Sequence, residues 1–166
     1  MSLQTAINLV FEEMVSAKER PLRGDSFADW FCNDARVIVE EILQRPDLVV
    51  DASAGKGNWA EVPWIGVFNP ENTNSATTGI YVVYLFAPDG KRVFLSQGQG
   101  VTRVREEFGK GKDAEMQRRA ALMRARVPEY KKLFADGPID LGGTTLLSRD
   151  YDGAVAYGFY PASTDG

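Results

Sequence analysis

The sequence contains no histidine among its 166 residues, and this absence restricts its chemistry. A catalytic triad that uses imidazole, a zinc site with histidine ligands and an imidazole proton shuttle are all excluded. Any catalysis would depend on carboxylate, lysine or tyrosine side chains. The single cysteine, Cys32, cannot form an internal disulfide, and its place within "FADWFCND" predicts a small core residue.

Long apolar runs are also missing. No run approaches the roughly 20 residues that a membrane-spanning helix needs, and the first residues, "MSLQ", lack the basic and then apolar pattern of a secretion signal. We therefore expect a cytoplasmic protein with no membrane partner. The hydrophobic content of 44% and the charged content of 25% are ordinary for a globular chain. The length fits about one domain.

The net charge of −4 conceals a segregation of charge along the chain. Residues 1–54 carry 5 Lys and Arg against 10 Asp and Glu, whereas residues 101–132 carry 10 against 5. This basic segment is a candidate contact for a phosphate backbone, and the alternative is a solvated helix face. The predicted phosphate contacts are Arg103, Arg105, Lys110, Lys112, Arg118, Arg119, Arg124 and Arg126, and the segment also contains Lys131 and Lys132.

Two amphipathic helices are predicted at the start of the chain. Apolar residues recur at helical spacing between residues 3 and 14 and again between residues 27 and 42, before Pro46 ends the second pattern. Asp25 or Ser26 can cap the second helix, because a short oxygen-bearing side chain accepts from the free amides of a first turn. A third helix, rich in arginine, is predicted for residues 113–134, with a bend or break at Pro128.

Stretches rich in β-branched and aromatic residues predict strands at residues 48–52, 62–68, 79–86, 91–97 and 153–161. The turn "APDG" at residues 87–90 joins two of them into a hairpin. The strand at 79–86 is apolar on both faces, which predicts burial on both sides or one face that lines a pocket. We therefore expect an α+β fold: a single domain of residues 1–166 with a curved, mostly antiparallel sheet and flanking helices, two N-terminal and one basic after the central hairpin.

The segment "AGKG", residues 54–57, is similar to the phosphate-binding loop of a nucleotide-binding protein. Such a loop needs Gly, four residues, Gly-Lys and then Ser or Thr, with a helix following. Here Val50 stands at the first glycine position, Gly57 stands at the hydroxyl position, and the stretch around Pro63 reads as a strand. The pattern instead predicts an exposed, flexible loop between strands, from which Lys56 projects.

Residues 55–102, from "GKGNW" to "GQGVT", resemble the N-terminal domain of the McrB family of modified-cytosine restriction enzymes. The shared features are a G-x-G-N loop, an aromatic-rich strand with Pro-Trp, a strand that opens Gly-Ile-Tyr and a following hairpin. The segment "YDGAVAYGFY", residues 151–160, is similar to the closing segment of that family. The resemblance implies a DNA-binding specificity module with no catalytic activity and no cofactor. In McrB, this domain rotates methylated cytosine out of the duplex into an aromatic pocket, while other parts hydrolyse GTP and a partner subunit cuts the DNA.

The resemblance assigns this pocket to Trp64, Tyr81 and Leu85. Tyr81 and Leu85 lie four residues apart on one predicted strand, so their side chains share a face. Stacking on aromatic rings is worth about 1 to 3 kcal/mol per base and would offset the few kcal/mol spent on unpairing. The alternative is that Trp64 and Tyr81 are core aromatics.

The resemblance also places Gly55, Lys56, Gly57 and Asn58 in the loop that approaches DNA. Lys56 occupies the position at which McrB inserts an aromatic wedge into the gap left by the base. Two roles remain open for Lys56: a phosphate contact, or a wedge whose aliphatic stem fills part of the gap.

We therefore expect a DNA-binding specificity module of a restriction or defence system, part of a longer multidomain protein, that flips a methylated base into the pocket. Its partners would be double-stranded DNA with a modified base and, through the full-length protein, a nuclease subunit. The alternatives are a protein-interaction module of a multisubunit defence complex and a sequence-specific DNA binder that does not flip a base. A carboxylate–metal nuclease is disfavoured because no Asp and Glu-x-Lys pattern falls on adjacent strands.

Overall fold

The computed structural model describes residues 1–126, 129, 139–145 and 160–161. The helices are α1 (Leu3–Ala17), α2 (Ser26–Trp30), α3 (Arg36–Leu43), α4 (Val101–Phe108) and α5 (Lys112–Arg126). The strands are β1 (Val49–Lys56), β2 (Asn58–Phe68), β3 (Ile80–Phe86), β4 (Arg92–Gln99) and β5 (Tyr160–Pro161). Each strand pairs antiparallel with the next, so the sheet has the order β1-β2-β3-β4-β5. The predicted α+β class and antiparallel sheet are confirmed.

The second predicted helix consists of α2 and α3, which a π-helical turn (Phe31–Ala35) joins. Asp25 rather than Ser26 is the cap, because its Oδ1 accepts from the amides of Phe27 at 3.0 Å and Ala28 at 3.1 Å. The other carboxylate oxygen of Asp25 accepts from Arg20 Nε at 2.7 Å. α3 ends where Gln44 takes a left-handed conformation with φ of 48°.

The predicted exposed loop between strands, residues 55–58, is the tip of a β-hairpin, and only Gly57 lies outside the strands. β1 runs to Lys56 and β2 begins at Asn58, with Gly57 between them. Gly55 and Gly57 have φ of 143° and 75°, which few side-chain-bearing residues adopt. A Cβ at Gly55 would also overlap the carbonyl oxygen of Asn58. The two glycines let the chain reverse with the strands still paired, which the sequence pattern alone did not distinguish from a loop.

The second hairpin is confirmed at its predicted turn. The amide of Ala87 donates to the carbonyl of Arg92 at 2.9 Å, and the amide of Gly90 donates to Ala87 at 3.0 Å, between β3 and β4. The predicted basic helix begins at Lys112, and its predicted course beyond residue 126, including the bend at Pro128, lies outside the described residues. The sequence reasoning missed α4. Of the last predicted strand, only Tyr160–Pro161 is described, as β5.

The sheet separates two apolar clusters. On one face, Ile65 and Phe86 belong to the cluster with helix residues such as Met14 and Phe31. On the other face, strand side chains cluster with two residues of a later segment; this cluster comprises Val62, Phe68, Tyr81, Val83, Leu85, Ala87, Phe94, Ile139 and Leu141.

Strand β3 differs between its two faces. Tyr81, Val83 and Leu85 are buried, whereas Ile80 and Val82 on the opposite face are 43% and 42% exposed. Burial on both sides of β3 is therefore wrong for its first half, because α1–α3 cover the sheet only nearer Phe86. None of the helices within the described residues is long and apolar enough to cross a membrane.

Candidate nucleic-acid interface

A cleft of about 410 Å³ opens beside the tip of the β1–β2 hairpin. It brings together the hairpin, the loop between β2 and β3, the first turn of α4 and part of the segment 139–145. The lining residues are Ser53, Gly55, Lys56, Asn58, Trp59, Ala60, Glu61, Val62, Trp64, Ala76, Thr77, Thr102 and Thr145. The cleft therefore combines aromatic walls with a polar mouth.

The hairpin tip forms one rim of this cleft. Gly55, Lys56 and Asn58 line it, and Gly57 lies at the adjoining turn. Lys56, Gly57 and Asn58 are exposed. Within the described part of the chain, Lys56 makes no ion pair, so its ammonium group is available to a phosphate. The structure thus places all four predicted loop residues at one exposed edge.

Of the three predicted pocket residues, only Trp64 lines the cleft. Trp64 is half-buried, and its ring meets Phe68 edge to face at 6.3 Å. Tyr81 and Leu85 share the Trp64 face of the sheet, since Leu85 pairs directly with Trp64, but they are 5% and 1% exposed. The structure therefore separates one cleft aromatic from two core side chains, and the joint pocket stays a prediction.

Tyr81 contacts a residue of the cleft wall, because its hydroxyl group donates to the carbonyl of Ala76 at 3.0 Å. Its ring lies 5.1 Å from that of Phe68. Ala76 and Thr77 form the rim opposite the hairpin, and the carbonyl of Thr77 accepts from the amide of Arg103 at 3.3 Å. Hydrogen bonds to β3 and α4 therefore hold this rim in place.

Glu61 joins the cleft to the segment 139–145. Its carboxylate accepts from the amide and hydroxyl of Thr144 at 2.6 and 2.9 Å, and from those of Thr145 at 2.9 and 2.5 Å. Desolvation opposes ionisation of Glu61, but the hydrogen bonds from Thr145 and Thr144 outweigh it and lower the pKa of Glu61 to about 2. Glu61 is therefore a carboxylate at neutral pH, with both oxygens already occupied.

Lys18 contacts β2, the strand that carries Glu61. Its Nζ donates to the carbonyl of Glu61 at 2.8 Å. Burial lowers the pKa of Lys18 to about 8, while the nearby charge of Glu61 raises it in part. This contact fixes the main chain of β2 near the cleft.

Several of the predicted phosphate contacts are paired with carboxylates in the helices. Arg118 forms two hydrogen bonds of 2.8 Å with Glu115, and Arg119 Nε lies 2.6 Å from the same carboxylate. Arg103 Nε lies 3.2 Å from Glu107. The hydrogen bonds from Arg118 and Arg119 lower the pKa of Glu115 to about 2. These pairs reduce the positive charge that α4 and α5 present.

Other basic residues remain open to solvent. Lys110 and Arg126 are exposed and have no ion pair with any described residue. Arg105 is exposed as well. The basic segment starts at the cleft, because Thr102 lines it and Arg103 follows. Lys131 and Lys132 lie outside the described residues.

The family model described as "MrcB-like, N-terminal domain" matches residues 9–164, which include every element of the cleft. The chain belongs to the MrcB-like N-terminal domain family. This membership confirms the resemblance to McrB and indicates DNA binding within a restriction-type defence system. No curated protein and no solved structure matches the chain.

Sequence reasoning missed the polar residues that the MrcB-like domain places in its cleft: Ser53, Glu61, Thr77, Thr102 and Thr145. Glu61 has no local signal, since its partners lie 83 and 84 residues further along the chain. Trp59 also lines the cleft, and its indole nitrogen donates to the carbonyl of Arg20 at 2.7 Å. Among the described residues, no group of three or more Cys, Asp or Glu could hold a metal ion.

Proposed function

We propose that this MrcB-like domain binds double-stranded DNA and receives a methylated base, rotated out of the duplex, in the cleft beside Trp64. One observation carries the proposal: a half-buried tryptophan lines the same cleft, at the tip of a hairpin, as Lys56, which forms no ion pair with any described residue. Its volume of about 410 Å³ lies within the range typical of small-ligand pockets. A base that stacks on Trp64 would regain about 1 to 3 kcal/mol of the unpairing cost.

The hairpin tip would contact the DNA strand that carries the flipped base. Gly55 and Gly57 keep side chains off the tip, so the backbone can approach the duplex closely. Lys56 would contact a phosphate, and its aliphatic stem could fill part of the space that the base leaves. Because the lysine has no aromatic face, we favour the phosphate contact.

The duplex would continue from Lys56 towards α4 and α5. Exposed cations on these helices and on the turn between them, such as Arg105, Lys110 and Arg126, would replace counterions on the DNA backbone. Binding should then weaken as salt rises, with a slope of about −0.9 in log K against log salt for each neutralised phosphate.

The domain would recognise DNA without catalysing a reaction and without a cofactor. Cleavage would belong to a nuclease subunit that acts together with the full-length protein. We expect DNA recognition and cleavage to take place in the cytoplasm.

A competition experiment tests base recognition. Labelled duplex would compete at fixed salt with duplexes that contain a single cytosine, 5-methylcytosine, 5-hydroxymethylcytosine or N6-methyladenine. We expect one modified duplex to compete at least about tenfold better than unmodified DNA, and equal competition by all four would contradict base recognition.

Substitutions at Trp64 and Lys56 separate the roles of these cleft residues. Trp64→Ala should remove the preference for the modified duplex while affinity for unmodified DNA stays, and Trp64→Phe should keep part of the preference. Lys56→Ala should weaken binding to every duplex and lower the salt slope by about one. Lys91→Ala, an exposed lysine at the other hairpin turn, is the matched control for Lys56.

A protein-interaction module is the second candidate function. The pairing of Arg118 and Arg119 with Glu115, and the exposure of Phe108 and Leu122 at 43% and 48%, favour a protein partner on α4 and α5. Weak DNA binding that does not respond to salt would support this candidate over the first.

A further inference from the structure

Ser53 lies beside Trp64 in the β1–β2 ladder, where the two residues are directly opposite each other. Directly paired residues of an antiparallel ladder share a face, with Cβ atoms about 4.5 to 5.5 Å apart. Both side chains line the cleft. The hydroxyl group of Ser53 is thus within reach of the edge of any flat group that stacks on Trp64.

The pairing of β1 with β2 becomes irregular immediately after Ser53. Ser53 pairs with Trp64, but Gly55 pairs with Trp59, so the extra residues of this irregularity lie in β2. Bulges in a ladder are frequent beside ligand sites. Ser53 is therefore the last residue of β1 in the regular register before the hairpin tip.

The other polar side chains of the cleft are either exposed at its mouth or already engaged. The exposed ones are Lys56, Asn58, Thr77, Thr102 and Thr145, and the half-buried ones are Ser53 and Glu61. The carboxylate of Glu61 already accepts four hydrogen bonds, which fills its capacity. The hydroxyl of Ser53 forms no hydrogen bond to any residue that the structure describes. Ser53 is thus the half-buried polar side chain still able to bond a ligand.

We infer that Ser53 is a specificity-determining residue, whose hydroxyl group hydrogen-bonds the polar edge of the base stacked on Trp64. This inference rests on the proposed function. Stacking tolerates every base, so selection needs a polar contact at the base edge. A serine hydroxyl is both donor and acceptor, and it can pair with a ring nitrogen, a carbonyl oxygen or an amino group.

The test compares Ser53→Ala with wild type on two duplexes: the one that wild type prefers in the four-duplex competition, and its unmodified counterpart. We expect Ser53→Ala to weaken binding to the preferred duplex about fivefold, the usual effect of one hydrogen bond. Affinity for the unmodified duplex should change less than about twofold. Ser53→Cys, which keeps the size but donates weakly, should lose affinity for the preferred duplex in the same direction.

Ser16→Ala is the matched control, because Ser16 is an exposed serine on α1 that does not line the cleft. It should leave the ratio of the two affinities unchanged. An unchanged ratio in Ser53→Ala, or an equal loss on both duplexes, would overturn the inference while the proposed function stands. If wild type itself does not distinguish the duplexes, the proposed function and the inference both fail.

Discussion

Replacing Tyr81 tests whether this side chain is part of the core or a wall of the base site. Its ring is 5% exposed and lies 5.1 Å from the ring of Phe68. Truncating a buried aromatic side chain costs about 3 to 5 kcal/mol. We therefore expect Tyr81→Ala to lower the free energy of unfolding by this amount, a large fraction of the roughly 5 to 15 kcal/mol that stabilises a typical domain.

Tyr81→Phe separates the hydroxyl group from the ring. It removes the hydrogen bond to the Ala76 carbonyl and should cost about 1 to 2 kcal/mol, because that carbonyl loses its partner. Urea unfolding at 25 °C, followed by tryptophan fluorescence, measures both variants. If Tyr81→Ala cost less than about 1 kcal/mol yet abolished the preference for modified DNA, our placement of Tyr81 in the core would be wrong.

Three further predictions concern the hairpin, a helix cap and the cysteine. Gly55→Ala should destabilise the domain by more than about 1 kcal/mol in the same urea assay, because its Cβ would overlap the facing backbone. Gly57 has open space around it, so Gly57→Ala should lower the free energy of unfolding by less. The hydrogen bond from Arg20, opposed by desolvation, lowers the pKa of Asp25, so this carboxylate adds stability at neutral pH that is lost as pH falls below about 4. Asp25→Asn keeps a capping oxygen but loses the charge, so the difference between its free energy of unfolding and that of wild type should shrink in acid. An equal difference at pH 7 and pH 3 would refute the pairing of Asp25 with Arg20. Burial raises the pKa of the Cys32 thiol, so iodoacetamide should label the folded protein at pH 8 more slowly than the urea-unfolded protein, and equal rates would contradict this.

Much of the fold could be predicted because its signals are local. The turn at residues 87–90 carries Pro-Asp-Gly, whose backbone preferences suit a reversal. Asp25 caps α2 through amides two and three residues away. The pairs of Glu115 with Arg118 and Arg119 have helical spacing, so they too could have been predicted from the sequence. Such pairs count against phosphate contacts by these two arginines.

The candidate site was less predictable, because it depends on contacts between distant parts of the chain. Glu61 is held by Thr144 and Thr145, and nothing near Glu61 in the sequence indicates those partners. Ser53 is a candidate ligand contact only because the register of the β1–β2 ladder places it opposite Trp64.

The sequence by itself determined the α+β class, the main helices and strands, the central hairpin and the family resemblance, since these follow from periodicity, turn chemistry and short motifs. The tertiary structure alone decided which of the predicted pocket side chains is available to a ligand. Trp64 and Leu85 are paired in neighbouring strands and face the same side of the sheet, yet Trp64 lines the cleft and Leu85 is 1% exposed. The alternation of a strand fixes the face on which a side chain lies, but its exposure depends on what packs over that face.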